Sequence, residues 1–499
     1  MERLCELLAE IFDLQHAAAV LNWDQDTYMP AGGVRNRAEQ VATLRRVAHE
    51  RFVSDEVGEL LQRAESDTAD MPEDSDERSL VRVTRRDYDK ARRLPAELIA
   101  ELARSASEAR PAWVRSRRES DWERFAPHLA RNVQLNQQLA ELLGYNDHPY
   151  DALLDRTEPD MTREQLRALF AELKQAVVPL LRQISERRAA VEDEFLHRDY
   201  DQDKQLAFAL AITERFGYDL ERGRMDLTAH PFCTAFGRGD VRITTRVYRD
   251  FLSPCLFGTM HESGHAMYNQ GIDARIDRTP LWAGASPGFH ESQSRLWENL
   301  IGRSRPFWKW AFPQLQAVFP GALGDVDAEG FYRAVNKVQP SYIRVEADEV
   351  TYNLHILLRF ELENELLESR LSVADVPAAW RAKMLDYVGL EPPDDARGAL
   401  QDVHWSGVAF AVFPSYTLGN VIGAQLMRTA RADLPELDVD IERGEFADLL
   451  FWLQEKIYRH GRKFTPGELL ERVTGEPLSA RAWIEYARQK FGEIYEIPA

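Results

Sequence analysis

Apolar residues recur at helical spacing over long stretches of this chain, and this periodicity limits the fold more than any other feature. Residues 166–186, LRALFAELKQAVVPLLRQISE, place leucine, phenylalanine and valine on one stripe, and residues 349–368, EVTYNLHILLRFELENELLE, do the same. Such a stripe is typical of one face of an amphipathic α-helix. Only residues 240–248, DVRITTRVY, alternate with the period of a β-strand. The sequence therefore predicts a mainly α protein with a small β-sheet.

The breaks between these helical stretches are short. They fall at residues 67–79, 193–204 and 391–398, and each is acidic or contains proline. None is long or low in complexity, so they indicate surface loops and not linkers between domains. With 44% hydrophobic residues the chain can form a large core. We therefore expect residues 1–499 to form a single domain.

Charge and cysteine content narrow the function classes. The chain has 62 basic and 82 acidic residues, a net charge of −20, which disfavours nucleic acid and anionic lipid as partners. Its three cysteines form no disulfide framework and suggest a reducing compartment. The N-terminal residues lack the basic and apolar regions of a signal peptide, and no apolar run reaches the roughly 18 residues of a membrane span. These features predict a soluble cytoplasmic protein.

The stretch GTMHESGHAMYNQG, residues 258–271, contains two histidines four positions apart. On an α-helix, residues i and i+4 share a face, so His261 and His265 can direct both imidazoles at one metal ion. Glu262 lies about 100° further round the helix, where it can act on a water molecule without being a ligand. Gly271 is a plausible end for this helix. The pattern H-E-x-x-H therefore predicts a catalytic metal site.

A catalytic zinc site generally uses three protein ligands. The metzincin pattern would place glycine and histidine where Tyr268 and Gly271 stand, so it does not apply. Thermolysin-like spacing would require a glutamate near Gly284 or Ala285, and none occurs there. Glu291 is the first glutamate after the second histidine, and it is our candidate third ligand.

The segment around Glu291, ASPGFHESQSRLWENLIG, reads as a second helix. Ser286 can cap its N-terminus and Pro287 suits its first turn. Glu291 shares a polar stripe with Glu298, which would be costly to bury without a partner. A metal ion bound to Glu291 would remove that cost. His290 is the competing ligand from the same turn.

Several short motifs follow one another along the chain. They are HPF at 230–232, DVRIT at 240–244, HESGH at 261–265, HESQS at 290–294, IRVEAD at 343–348 and GALQDVHW at 398–405. Together with LNWDQDTYMPAGG at 21–33, they resemble the motifs of the carboxypeptidase Taq family of metallocarboxypeptidases. GASPGFHE is also similar to the third-ligand segment of angiotensin-converting enzyme, which supports Glu291.

The resemblance implies a large helical fold like that of neurolysin, with two helical halves around a deep substrate groove. It also implies Zn²⁺ or a similar divalent metal and a homodimer. Cobalt and manganese stay open, because affinity order and availability both decide the metal. Together, motif and resemblance predict a carboxypeptidase of broad specificity that acts on peptides.

The chemistry assigns roles to further residues. A metal lowers the pKa of bound water, and Glu262 can take the water's proton and deliver it to the leaving amine. The developing oxyanion needs donors, and by resemblance to related helical zincins these are His404 and Tyr416. Trp405 is more consistent with a wall or core residue.

A carboxypeptidase must also bind a free terminal carboxylate, which suits the planar fork of arginine. Arg344 is the first candidate, although an ion pair with Glu346 or Asp348 would also explain it. Arg242 is the second candidate. By resemblance, the motifs that contain His230 and Arg242 can instead close the groove and limit substrate length. A strand edge beside the metal helix can also pair with an extended peptide.

Two rival functions remain. The first is an oligopeptidase or dipeptidyl carboxypeptidase on the same scaffold. The second is a non-catalytic peptide-binding protein that keeps a structural metal. Glu262 argues against the second rival because a structural site needs no general base. Structural zinc sites also favour cysteine, and Cys5, Cys233 and Cys255 lie outside the motif.

Overall fold

The structure is a computed structural model that describes residues 1–187 and 190–497. Helices dominate it, and one small sheet lies in the middle of the sequence. The predicted mainly α fold class is therefore confirmed. Among the described residues, no helix combines the length and the apolar character that a membrane crossing requires.

The helices are labelled in chain order. They are α1 (Glu2–Thr27), α2 (Val34–Phe52), α3 (Asp55–Thr68), α4 (Asp76–Arg92), α5 (Ala96–Glu119), α6 (Trp122–Leu143), α7 (Pro149–Leu154), α8 (Arg163–Glu186), α9 (Gln202–Phe216), α10 (Ser253–Gly271), α11 (Pro287–Arg295), α12 (Arg305–Val318), α13 (Pro320–Leu323), α14 (Ala328–Val335), α15 (Tyr352–Leu367), α16 (Val376–Val388), α17 (Pro414–Asp433), α18 (Leu437–Arg443), α19 (Ala447–Lys456), α20 (Pro466–Thr474) and α21 (Arg481–Tyr495).

The sheet has three strands, in the order β1 (Gly223–Leu227), β3 (Asp240–Thr245) and β2 (Cys233–Gly237). β3 pairs with β1 in parallel and with β2 in antiparallel orientation. The predicted strand 240–248 was too long, since the described strand ends at Thr245. β1 and β2 were not predicted: β2 does not alternate apolar and polar residues, and β1 alternates over only five residues, so their pairing depends on contacts with β3.

The chain forms two compact units. Unit 1 comprises residues 1–92, 192–335 and 423–477, and unit 2 comprises the described residues of 93–191, 336–422 and 478–499. The sheet, α10 and α11 belong to unit 1, and α15 belongs to unit 2. Each unit is assembled from segments far apart in sequence. The single-domain organisation around a groove stays a prediction.

Helix α10 is buried on most of its surface in unit 1. It lies against β3, where the hydroxyls of Thr245 and Thr259 are 2.9 Å apart. It also lies against α11, and at Gly264 the two helices approach so closely that a side chain would have no room. This close crossing brings the histidine motif of α10 next to the predicted third ligand on α11.

Helix α11 begins as the sequence predicts. The Ser286 hydroxyl accepts a hydrogen bond from the Phe289 backbone N–H at 3.0 Å, and Pro287 occupies the first turn. The helix continues into a π-helical segment, Leu296–Ile301. A π-helical segment contains an extra residue per turn and occurs frequently at functional sites. Here it carries Glu298, which contacts the candidate metal site described below.

In unit 2, α15 is almost entirely buried, and its side chains Arg359 and Glu363 have no exposed surface. The predicted helix 349–368 corresponds to α15, which begins three residues later than predicted, at Tyr352. Asp348 accounts for this start because its carboxylate accepts the backbone N–H groups of Val350 and Thr351, both at 2.9 Å. The side chains of Arg359 and Glu363 both carry ionisable groups, and buried charged groups need partners.

Candidate metal centre

Three of the predicted residues converge in unit 1. The Nε2 atoms of His261 and His265 lie 3.5 Å and 3.3 Å from Oε2 of Glu291. One ligand atom from each residue lies within 4.8 Å of the other two. The helical spacing of the two histidines and the crossing of α10 with α11 thus produce one cluster of two imidazoles and one carboxylate.

Glu298 fixes the orientation of His261. Its Oε2 atom lies 2.9 Å from Nδ1 of His261. Since Nε2 faces Glu291, Nδ1 carries the hydrogen and donates it to Glu298. Arg295 also contacts the same carboxylate oxygen at 3.3 Å. A metal-binding histidine ordinarily donates its other ring N–H to such a partner, which sets the tautomer and raises ligand basicity.

His265 has a different partner, His290. Their Nδ1 atoms lie 2.7 Å apart, and Nε2 of His290 lies 3.2 Å from Oδ1 of Asn269. With Nε2 of His265 directed at Glu291, the hydrogen bonds run from His265 to His290 and from His290 to Asn269. Burial, together with His265, lowers the pKa of His290 to about 3, so its imidazole is neutral. His290 therefore orients the candidate ligand His265 by a hydrogen bond, and it does not join the cluster as the competing ligand.

The carboxylate of Glu291 is ionised. Burial opposes its charge, but Arg295 and His261 outweigh burial and hold its pKa well below the ordinary range. Nε of Arg295 donates to Oε1 at 2.8 Å, which leaves Oε2 on the histidine side. For His261, burial again opposes the charge, but Glu291 and Glu298 raise its pKa to about 9. Glu291 and Glu298 thus place negative charge beside both ring nitrogens of His261, which favours a cation there.

Glu262 lies on α10 between the two histidines and is 7% exposed. Burial raises the pKa of its carboxyl above the ordinary value, although His261 and His265 act in the opposite direction. A raised pKa makes this carboxylate a better proton acceptor near neutral pH. It is not one of the three clustered ligand residues, which is the arrangement that a general base requires.

The residues present suit a divalent metal. Two imidazoles and one carboxylate form a ligand set of catalytic zinc sites, which leave a coordination position for water or substrate. Both imidazoles direct Nε2 at the carboxylate, and both Nδ1 atoms are occupied by hydrogen bonds. The ligands are therefore oriented by their own neighbours.

A second cluster of predicted residues lies in unit 2, around Asp402. Nε and Nη2 of Arg344 donate to Oδ1 of Asp402 at 3.0 Å and 2.9 Å, and Nε of Arg359 donates to Oδ2 at 2.6 Å. Nη1 of Arg344 donates to the Tyr352 hydroxyl at 2.9 Å. The alternative partners of Arg344, Glu346 and Asp348, are not the ones it uses. Two buried guanidinium groups therefore share one carboxylate.

His404 and Tyr416 belong to the same cluster. Nε2 of His404 lies 3.3 Å from the Tyr416 hydroxyl, and the guanidinium carbon of Arg344 lies 5.1 Å from the Tyr416 ring centre. Burial lowers the pKa of His404 to about 4, although Asp402 acts in the opposite direction. At neutral pH His404 is a neutral imidazole that can donate one hydrogen bond. The two predicted oxyanion donors and the first-choice arginine are thus neighbours.

The remaining candidates lie in unit 1 near the sheet. Arg242 is bound to Asp240 by two hydrogen bonds of 2.7 Å, and its guanidinium carbon lies 4.2 Å from the Trp23 ring centre. Trp23 belongs to the N-terminal segment that resembles the family. His230 lies in the turn between β1 and β2 and is exposed. The structure therefore brings neither residue into the ligand cluster.

Sequence reasoning missed the residues that support the site. Glu298 had a signal, since it shares a polar stripe with Glu291, but its partner His261 comes from another helix. The contact between Asp402 and Arg359 had no signal in the sequence, because 43 residues separate the two. The hydrogen bond between His265 and His290 joins neighbouring helices in the same way. Local periodicity indicates which face of a helix is polar, but it does not indicate what that face touches.

The fold and the site together define a class, a metal-dependent hydrolase with the H-E-x-x-H motif on a helical scaffold. The family model described as Carboxypeptidase Taq (M32) metallopeptidase matches residues 3–491. The chain belongs to this family and is a metallocarboxypeptidase, as the motif resemblance predicted. Family membership implies a divalent metal.

Known relatives match nearly the whole chain. It is 45% identical to thermostable carboxypeptidase 1 of Thermus thermophilus over 503 residues, which cover 99% of this chain and 98% of that protein. It is 39% identical to carboxypeptidase 1 of Bacillus subtilis, over 98% and 97% of the two chains. The crystal structure of M32 carboxypeptidase from Deinococcus radiodurans R1 superposes with a TM-score of 0.96, with 43% identity and 99% coverage of both chains.

Proposed function

We propose that this enzyme removes single C-terminal residues from peptides with broad specificity, with His261, His265 and Glu291 as metal ligands and Glu262 as general base. The observation that carries the proposal is the convergence of both Nε2 atoms on Oε2 of Glu291, at 3.5 Å and 3.3 Å. A carboxylate outside the ligand set, on the same helix, supplies the base. Zn²⁺ is the favoured metal for two imidazoles and one carboxylate, with Co²⁺ or Mn²⁺ as alternatives.

A metal held by His261, His265 and Glu291 would lower the pKa of a water molecule and polarise the scissile carbonyl. The carboxylate of Glu262 takes the proton from water and later gives it to the leaving amine nitrogen. Burial favours this function because the raised pKa of Glu262 brings it nearer to the working pH. We assign the donation of hydrogen bonds to the developing oxyanion to His404 Nε2–H and the Tyr416 hydroxyl.

Recognition of the terminal carboxylate is assigned to Arg344. Arg344 and Arg359 both pair with Asp402, so the buried cluster carries one positive charge more than its carboxylate neutralises. A buried unbalanced charge is costly, and the carboxylate of a substrate would balance it. Arg344 also neighbours the two oxyanion candidates, which favours it over Arg242. Arg242 and His230 keep the alternative role of limiting substrate length.

The first experiment tests the general base. Glu262→Gln keeps the size of the side chain and is expected to retain the metal while losing nearly all hydrolysis, because the amide accepts no proton. Metal content is measured by elemental analysis and hydrolysis with a peptide substrate. Removing the metal with a chelator should silence the wild type reversibly. Full activity in the Glu262→Gln variant would refute this mechanism.

The second experiment tests the carboxypeptidase reaction against its rivals. A pentapeptide and its C-terminally amidated form are incubated with the enzyme, and products are identified by mass spectrometry. A carboxypeptidase that recognises the free carboxylate releases one amino acid from the first peptide and leaves the amide intact. Cleavage of both peptides would favour an oligopeptidase, and release of dipeptides would favour a dipeptidyl carboxypeptidase.

We also propose a homodimer, on the strength of the family resemblance, with peptides as the partners that the enzyme acts on. Sedimentation analysis at micromolar concentration would show a species of twice the chain mass of 57.3 kDa. A monomer would contradict the proposal. The cytoplasmic location that the sequence suggests stays a prediction.

A further inference from the structure

A strained segment follows His404 in unit 2. Within Trp405–Ala411, Val408 and Ala411 have φ angles of +58° and +59°. Residues other than glycine seldom adopt positive φ, and for a β-branched valine the conformation is an outlier. Both residues are buried. Such strain persists only where surrounding contacts hold it, and it is concentrated at functional sites. The segment therefore depends on the contacts that restrain it.

The carboxylate of Glu363, on α15, binds both ends of this segment. Its Oε1 atom accepts the indole N–H of Trp405 and its Oε2 atom accepts the backbone N–H of Ala411, both at 3.0 Å. The Tyr150 hydroxyl lies 3.1 Å from Oε2 and donates a third hydrogen bond. One fully buried carboxylate thus joins the first and last residues of the strained segment.

Two buried asparagines also hold the backbone of the segment. The Nδ2 atom of Asn132 donates to the carbonyl oxygen of Trp405 at 2.7 Å, and Nδ2 of Asn136 donates to that of Val408 at 3.2 Å. These donors are side-chain amides, whereas Glu363 offers two carboxyl oxygens without surface exposure. Burial raises the pKa of Glu363 to about 7, although the hydrogen bonds from Trp405, Ala411 and Tyr150 act in the opposite direction.

His404 directly precedes this segment, and its Nδ1 atom lies 3.9 Å from Oδ1 of Asp402. The Nδ1 atom of His404 makes no hydrogen bond to any residue that the structure describes. Its ring packs against Phe413, with centres 4.5 Å apart, and its Nε2 lies 3.3 Å from the Tyr416 hydroxyl. Trp405 follows His404 directly, and Phe413 lies two residues after Ala411. The segment that Glu363 holds therefore connects His404 to Phe413, the residue against which its imidazole packs.

We propose that Glu363 is a positioning residue, which fixes His404 for the reaction by binding both ends of the segment Trp405–Ala411. This inference rests on the proposed function of His404 as a hydrogen-bond donor to the oxyanion. It also gives a role to Trp405, the last residue of the motif GALQDVHW. The indole is a core side chain whose N–H ties the motif to α15.

The test begins with Glu363→Gln, which keeps the side-chain size but turns one of the two acceptor atoms into a donor. Either Trp405 or Ala411 then faces an N–H group instead of an oxygen. We expect kcat to fall about tenfold or more, with KM changed less than about twofold and with full metal content. The matched control is Glu361→Gln, on the same helix, where the carboxylate binds Lys383 and Tyr387 instead. This control is expected to retain wild-type kcat.

A double-mutant cycle separates positioning from general damage to the fold. Glu363→Gln is measured in the wild type and in a His404→Ala background, with rates normalised to metal-loaded enzyme. If Glu363 acts through His404, its substitution costs less than about twofold in the background that lacks the imidazole. Equal losses in both backgrounds would overturn the inference, as would wild-type kcat for Glu363→Gln.

The outcome for His404→Ala alone separates the proposed role of His404 from the proposed role of Glu363. If His404→Ala retains wild-type kcat, the proposed role of His404 fails and this inference fails with it. If His404→Ala is slow while Glu363→Gln is unaffected, only the inference on Glu363 fails. Should Glu363→Gln not fold, Trp405→Phe removes one donor and keeps an aromatic ring. We then expect a loss of about threefold or more that vanishes in the His404→Ala background, and a loss that persists there overturns the proposal.

Discussion

Gly264, inside the H-E-x-x-H motif, is predicted to be the residue that sets the distance between the two helices that carry the proposed metal ligands. A Cβ atom at this position would lie 2.6 Å from the carbonyl oxygen of Gln293 and 2.7 Å from Cα of Ser294. Both atoms belong to the backbone of α11, so no side-chain rotation can relieve the overlap. Gly264→Ala must therefore move α11, which carries Glu291, relative to α10.

The size of the effect follows from these distances. Non-bonded heavy atoms are most stable at about 3.5 to 4.0 Å, so the helices must separate by about 1 Å. Overpacking of this kind costs about 1–3 kcal/mol in the free energy of unfolding, and the better helix propensity of alanine returns about 0.5–1 kcal/mol. Metal–ligand distances tolerate only about 0.2 Å. We therefore expect Gly264→Ala to weaken metal binding at least about tenfold, which is about 1.4 kcal/mol.

Gly258 is the matched control because it lies on the same helix and a Cβ there would meet nothing within 4 Å. Gly258→Ala should stabilise the metal-free protein by about 0.5–1 kcal/mol and leave metal affinity unchanged. Urea unfolding of the metal-free proteins gives the stability, and competition with a chelator gives the metal affinity. Equal metal affinity and equal gains in stability for the two alanine variants would refute the reasoning.

The other predictions concern buried charges. Glu298→Gln should weaken metal affinity by about 10- to 100-fold, because His261 loses its charged acceptor; a chelator-competition assay measures this, and unchanged affinity would contradict the assigned role. Asp402→Asn should cost about 3–5 kcal/mol at neutral pH, because it leaves Arg344 and Arg359 without their shared counter-charge. The two arginines hold the pKa of Asp402 below its ordinary value of 3.8, so its contribution is present above that value and is lost as the pH falls further. Urea unfolding at pH 7 and pH 3 should show the difference between wild type and Asp402→Asn shrinking by about 1 kcal/mol, and a constant difference would count against the ion pairs.

The helices and the metal motif could be predicted because their signals are local. Stretch 166–186 lies within α8, and α11 begins with the Ser286 cap that its sequence suggests. The spacing of His261 and His265 fixes their common face whatever surrounds the helix. Glu291 required a further step, the search for a buried carboxylate that needs a partner. Each of these inferences uses residues within one or two helical turns.

The acidic partner that Arg344 and Arg359 share could not be predicted because it comes from a distant segment. Arg344 has two acidic residues close by in sequence, Glu346 and Asp348, and uses neither. Its partner Asp402 lies 58 residues away. Asp348 instead binds the backbone at the start of α15, because the chain turns there. For Arg344, sequence proximity is thus a poor guide to its ion pair, because the backbone decides which side chains meet.

The net charge of −20 does not conflict with the proposed binding of an anionic peptide terminus, because the two depend on electrostatic interactions of different range. Surface charges are screened by salt beyond roughly 10 Å, so the total charge changes mainly the rate of encounter. Arg344 and Arg359 are buried and the Asp402 side chain is 12% exposed, so their balance of two positive charges against one negative charge is little affected by distant residues. Because the cost of a buried unbalanced charge is local, an acidic protein can still favour a carboxylate at this cluster. Added salt should therefore change the association rate of a peptide more than its dissociation rate.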